Sequence, residues 1–250
     1  MRNLLCAGFA RLWRCKMFWL SCAFLAGTTV ISICSSYIDE SQYGYHSSLD
    51  SNFVYYVLYI AFLIPVVCAL FIGVEYADGT IRNKLVSGHG RGNIYLSNLI
   101  LCSTASLLMC TAAVAPGLCV GLPLLDGFAM GATWAVMSFP AVYALSLVWA
   151  ALFTALAMLV SNRTISVVAA LLLSLTLLAV GANLNDPADV PEGPVRDTTQ
   201  FLSDFTPGGQ TLQHVNQRVE RPEVLIAYDG LLFALCTGAG LALFQRKDIK

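Results

Sequence analysis

Six long stretches with no charged side chain, or with only one, decide what this chain can become. They run over residues 17–38, 51–74, 92–125, 127–162, 164–185 and 224–245, the last interrupted only by Asp229. A helix of about 20 apolar residues crosses a bilayer, and each run is long enough. Backbone polar groups in hydrocarbon must be satisfied within the segment, so runs of this length are read as helices. The sequence therefore predicts an all-α polytopic membrane protein with six transmembrane helices, at about residues 17–37, 53–74, 94–118, 133–160, 165–183 and 224–244. These spans and their connectors occupy residues 1–250 as a single transmembrane domain, with no room for a separate soluble unit. The third run exceeds one span, and Pro116, Gly117, Gly121 and Pro123 mark where its helix is expected to fray. Pro65 and Pro140 fall within spans, Pro65 as an expected kink.

Few charges remain, so their positions carry the information. Charged residues make up 12% of the chain, against about 25% in an ordinary soluble domain. If the spans alternate, Arg2, Arg11, Arg14, Lys16, Arg82, Lys84, Arg91, Arg163, Arg246, Lys247 and Lys250 share one side, and only Arg196, Arg218 and Arg221 lie on the other. Lysine and arginine accumulate on the cytoplasmic side. This predicts a multi-pass plasma-membrane protein with both termini in the cytoplasm. Basic residues that flank spans leave no footprint for nucleic acid. Residues 1–16 mix four of these cations with Leu4, Leu5, Phe9, Leu12 and Trp13, which describes an interfacial helix over residues 3–15. A signal peptide is the competing reading, but no small-x-small site ends the following apolar run cleanly.

Between the second and third spans the chain concentrates its polar chemistry, over residues 73–98. Glu75, Asp78, Arg82, Lys84 and Arg91 lie there, punctuated by Gly79, Gly88, Gly90 and Gly92. Gly79 breaks the incoming helix, and Asp78 or Thr80 is expected to cap a short new one. Ile81 and Leu85 then share one face at i and i+4, while Thr80 and Lys84 share another. Glu75, where the second span ends, is expected to hold the loop through a basic neighbour such as Arg91. A short amphipathic helix between two spans suits docking into a groove on a soluble partner.

Glu75, the Gly79-Thr80 pair, the basic Arg82 and Lys84, and Arg91 before Ile94-Tyr95-Leu96-Ser97 resemble the ATP-binding-cassette type-2 permease family. The resemblance implies a transmembrane exporter subunit whose residues 3–15 form an elbow helix and whose loop after span two forms a coupling helix. Its contact set would be Glu75, Asp78, Gly79, Thr80, Ile81, Arg82, Lys84, Leu85 and Arg91. Partners implied are two copies of an ABC ATPase subunit, which bind the ATP, and a second permease subunit, identical or paralogous; the chain itself needs no cofactor. The GTIRNKL wording at residues 79–85 is similar to subfamilies of Gram-positive bacteria. One departure is Asn98, where many members carry lysine. The end of the chain, Phe244-Gln245-Arg246-Lys247-Asp248, is a weaker echo.

The segment before the last span, residues 183–223, begins proline-rich and acidic and reads as a loop. Phe201, Leu202 and Phe205 then recur at helical spacing, Thr206-Pro207 reads as a cap followed by proline at the first helical position, and Leu212, Val215 and Val219 continue an apolar stripe. Two short helices at the outer membrane surface are expected. In the resembled family a hairpin here dips back to close the outer mouth, and both placements fit the stripe.

No enzyme emerges. The chain has no G-x-x-x-x-G-K-[ST], the glycines around His89 read as a turn, and His46, His89 and His214 are scattered. No Glu/His or Ser-His pair sits at span depth for intramembrane proteolysis. Nine cysteines without a C-x-x-C spacing, seven of them in apolar runs, read as packing residues. Ion-coupled secondary transport is the main rival, with a non-transporting scaffold or immunity protein behind it. Coupled carriers place ionisable groups in mid-membrane. Here the first five runs have none, and Asp229 is expected at the interface, which leaves the chain dependent on a partner for energy.

Overall fold

The structure is a computed structural model that describes residues 1–44, 48–125, 127–129, 131–185, 194–219 and 221–247. Every regular element among the described residues is an α-helix: α1 (Arg2–Trp13), α2 (Lys16–Tyr43), α3 (Leu49–Ala77), α4 (Thr80–Val86), α5 (Arg91–Leu124), α6 (Ala132–Leu159), α7 (Arg163–Leu184), α8 (Pro194–Phe205), α9 (Pro207–Val215) and α10 (Pro222–Arg246). Six of them, α2, α3, α5, α6, α7 and α10, are long and apolar enough to cross a membrane. This is an all-α fold of the multi-pass membrane kind. Helices α3 and α6 hold the centre, and α10 packs along α6 with most of its apolar surface uncovered.

Burial between helices gains little over contact with lipid tails, so close approach and polar links carry much of the association. Both are visible. Gly117 and Gly121 of α5 face Thr29 and Ile33 of α2 and Phe53 and Leu49 of α3, with no room for a Cβ at either glycine. Asn52 of α3 accepts from Ser32 and Ser36 of α2 at 2.7 and 2.9 Å. Ser174 of α7 donates to the Ala61 carbonyl of α3 at 2.6 Å. Cys22, Cys68, Cys102 and Cys110 are buried as unpaired thiols.

Two boundaries differ from expectation. Helix α5 does not fray after residue 118; it continues to Leu124 with Pro116 and Pro123 inside it. The glycines there are contact points, and packing against α2 and α3 keeps the segment helical despite two missing N–H donors. Helix α2 likewise runs beyond Ile38 to Tyr43, and stops where Gly44 takes φ +70°.

The helix pair before α10 packs unlike a surface hairpin. Thr206 accepts from the Gly209 N–H at 3.3 Å and starts α9. Helix α9 then enters the bundle against α7, α3 and α6. Gly181 of α7 lies on the Gly208–Gly209 backbone, and Gly208 lies on the Leu177 carbonyl, a seam that only glycines allow. The buried side of α9 is its polar one: Gln210, Thr211, Gln213 and His214, with Trp149 Nε1 donating to Thr211 Oγ1 at 3.3 Å. Of the expected apolar stripe, Leu212 and Val215 are only half-buried, and Val219 is buried. The proline-rich loop, residues 186–193, lies outside the described residues, as do His46 and Asp248.

Candidate functional site

Where α3 leaves the bundle, its last turn carries a carboxylate with 1% exposure, Glu75. An ionised group so placed needs compensation from partners, and three elements supply it. Glu75 Oε1 forms an ion pair with Arg11 Nη1 of α1 at 2.6 Å and accepts from Lys84 Nζ of α4. Its Oε2 accepts from Asn98 Nδ2 of α5 at 2.8 Å. The Arg11 guanidinium also lies over the Phe71 ring, 4.0 Å from its centroid, a cation–π contact. One carboxylate thus ties α1, α3, α4 and α5 together.

Local chemistry sets this up. Helix α3 ends because Gly79 adopts φ +64°, and the chain turns at once into α4. Neither Asp78 nor Thr80 caps α4: Gly79 occupies the N-cap, with no side-chain hydrogen bond. On α1, Leu4, Gly8 and Leu12 form the buried stripe. Gly8 sits directly on Leu101 of α5, which brings Arg11 within reach of Glu75. Adjacent ties complete this end. Tyr76 donates to the Met158 carbonyl at 2.5 Å. Lys247 donates to Tyr76 Oη at 3.0 Å and to the Met158 carbonyl at 3.1 Å, and partial burial holds its ammonium below the usual lysine range. Arg91 donates to the Gln245 and Lys247 carbonyls at 2.8 and 2.7 Å, satisfying the C-terminal end of α10.

The nine residues expected to form a contact set therefore divide. Glu75 and Lys84 form the internal tie. Arg91 does not reach Glu75; it belongs to the α5–α10 junction. Ile81, expected on an outward apolar face, is 1% exposed and packs in this chain's own core, with Leu85 half-buried against it. An α4 seated against the bundle turns its i, i+4 apolar pair inward, as amphipathic helices do. Thr80 and Gly79 are half-buried, and Asp78 and Arg82 are exposed. The outward surface of α4 is instead Arg82, Asn83 and Val86, and Val86 is 82% exposed.

Arg11 and Asn98 as partners of Glu75 were not legible from motif spacing. Arg11 lies next to the buried stripe of α1, three residues after Gly8, and that adjacency was the available signal. Asn98, noted as a departure from the resembled pattern, is a fully buried donor to the carboxylate. The surroundings of Asp229 were not legible either. Expected at the interface, it is 1% exposed, closed in by neighbouring helices, with the Gln210 side chain beside its carboxylate. Asp50 and His214 are buried as well. Burial alone lowers the His214 imidazole to about 4, since a charged ring there would lose its hydration.

No family model matches this chain, and no curated protein matches it.

Proposed function

We propose that the chain is the membrane-spanning permease subunit of an ATP-driven exporter, with α1 as elbow helix and α4 as coupling helix. The observation that carries this reading is the Glu75 tie. A short helix meant to transmit force from a soluble motor must be rigidly joined to the spans and still present an outer face. Helix α4 meets both conditions: Glu75–Lys84 and Ile81 fasten it, while Arg82, Asn83 and Val86 remain outside. Through Arg11 and Asn98 a push on α4 reaches α1 and α5 as well as α3, the rigid-body coupling that switching transitions use. Two such subunits, identical or paralogous, would each dock one ATPase, and ATP would be bound only there. The basic end carrying α1, α4 and the C-terminus faces the cytoplasm of the cell membrane in this reading.

The test is site-specific crosslinking. Val86→Cys in an otherwise cysteine-free chain, treated in native membranes with a short bifunctional reagent, should join an ATPase carrying a phosphate-binding loop, and Ile81→Cys should not. Crosslinks from neither position, with substrate flux by the lone purified chain in liposomes, would refute the reading.

A second reading has one observation in its favour. Asp229, a carboxylate buried in α10 with no cation paired to it among the described residues, is the kind of group that ion-coupled carriers use. Gradient-driven flux abolished by Asp229→Asn would select it.

A further inference from the structure

The three basic residues that the charge pattern sets apart from the rest converge on one cavity. Arg196 of α8, Arg218 after α9 and Arg221 before α10 all line a cavity of about 570 Å3 at the α8–α9 end of the bundle. Among the described residues the cavity is lined by these three arginines and by the carboxylates of Asp197 and Asp204. Arg218 is fixed by donating to the Asn185 carbonyl at 3.1 Å, and Asp204 Oδ1 is engaged by Gln213 Nε2 at 2.7 Å. One wall is aromatic. Phe201 stacks on Phe205 at 5.9 Å, and Tyr228 meets both edge-on at 6.0 Å. From Tyr228 the same face of α10 continues to Leu231 and Leu235, at i+3 and i+7, and these leucines are 50% and 54% exposed.

We propose that this cavity binds an amphiphile with a phosphate headgroup, the phosphate held by Arg218 and Arg221 and the acyl chain laid along Tyr228, Leu231 and Leu235. Guanidinium forks match phosphate oxygens in pairs. The volume falls within the range of small-ligand sites, about 300–1,000 Å3. Free phosphate would satisfy the arginines but leave the aromatic wall and the leucine strip unused. An apolar chain without a headgroup would leave the arginines unused. The site stands whether or not an ATPase partners the chain.

Native mass spectrometry of the full chain in a non-ionic detergent tests this with short-chain dihexanoyl phosphatidylglycerol. One lipid per chain should bind saturably. Arg218→Ala/Arg221→Ala should weaken it tenfold or more, and Leu231→Ala/Leu235→Ala several-fold. Should the paired arginine variant not fold, Arg221→Glu, a single exposed position, should give the same tenfold loss. The proposal is overturned by inorganic phosphate competing as well as the lipid, which makes this a free-anion site, by dihexanoylglycerol binding as tightly, or by unchanged lipid affinity in the arginine variants. An acidic peptide displacing the lipid at lower concentration would also overturn it, moving the site to peptides.

Discussion

Replacing Glu75 with Gln keeps the shape of the side chain and removes its charge. In the parent, the carboxylate accepts from Lys84 and from Asn98 at 2.8 Å and pairs with the Arg11 guanidinium at 2.6 Å. Glutamine offers one carbonyl oxygen to the Lys84 and Asn98 donors, turns its own NH2 toward one of them, and leaves the Arg11 cation without its counter-charge. Hydrogen bonds to charged groups contribute about 1.5–3 kcal/mol each, and removing one member of a buried ion pair costs about 3–5 kcal/mol. The Arg11 and Lys84 side chains are 30% and 16% exposed, so both cations recover some hydration. The low end, about 3 kcal/mol, therefore applies. That loss falls on the docking of α1 and α4, because the spans keep their mutual packing. At about 1.4 kcal/mol per factor of ten, local opening of α4 should become roughly a hundredfold more frequent. Hydrogen exchange of the purified chain reads this directly: amides of α1 and α4 should exchange about a hundredfold faster in Glu75→Gln, while those at the middle of α3 and α6 stay as they were. A double-mutant cycle with Lys84→Met should return a coupling of at least about 1 kcal/mol. Exchange in α4 within threefold of the parent, or additive effects in the cycle, would refute the tie as the fastening of this helix.

Asn98→Leu should cost about 2 kcal/mol of stability by leaving Glu75 Oε2 without its donor, read as an earlier thermal transition, and Asn98→Lys should be milder because it supplies a third cation. Gly208→Ala places a Cβ against the Leu177 carbonyl; it should lower stability by roughly 3 kcal/mol and expose His214 to chemical modification. The buried His214 holds about 4 against an ordinary 6.5. Above about 6.5 both folded and unfolded imidazoles are neutral and contribute no pH dependence. As pH falls from 6.5 toward 4, only the unfolded ring takes a proton, so stability should drop by up to about 1.4 kcal/mol per pH unit. Thermal unfolding between pH 7 and 5 should show that slope, and His214→Gln should flatten it. Cysteine labelling in intact cells should reach Glu192→Cys and not Ser87→Cys; the reverse would invert the orientation.

The spans were legible because charge exclusion is a property of composition, and composition survives without knowledge of contacts. The break at Gly79 was legible for a similar reason, since a single backbone preference is enough to produce it. What was not legible depended on which surface each face meets. Ile81 and Leu85 share a face by spacing alone, but spacing does not say whether that face meets a partner or the chain's own bundle. Burial of Ile81 decides it. The partners of Glu75 come from positions 11, 84 and 98, and only the packing of α1 on α5 at Gly8 brings the first of them close. Asp229 was placed by its depth along α10, whereas its burial depends on the helices packed around it.

Helix α9 also bears on the order in which this protein is built. Its inward side carries Gln210, Thr211, Gln213 and His214, too polar for the segment to partition into hydrocarbon unaided. Its seat against α7, α3 and α6 consists of residues from spans that must already be in the bilayer and assembled. In the proposed orientation, with both termini cytoplasmic, the segment between α7 and α10 would cross the membrane as an ordinary translocated loop and fold back only afterwards. Docking of α9 would then be a late step of biogenesis, and a chain halted before it would be fully inserted yet still open at that end.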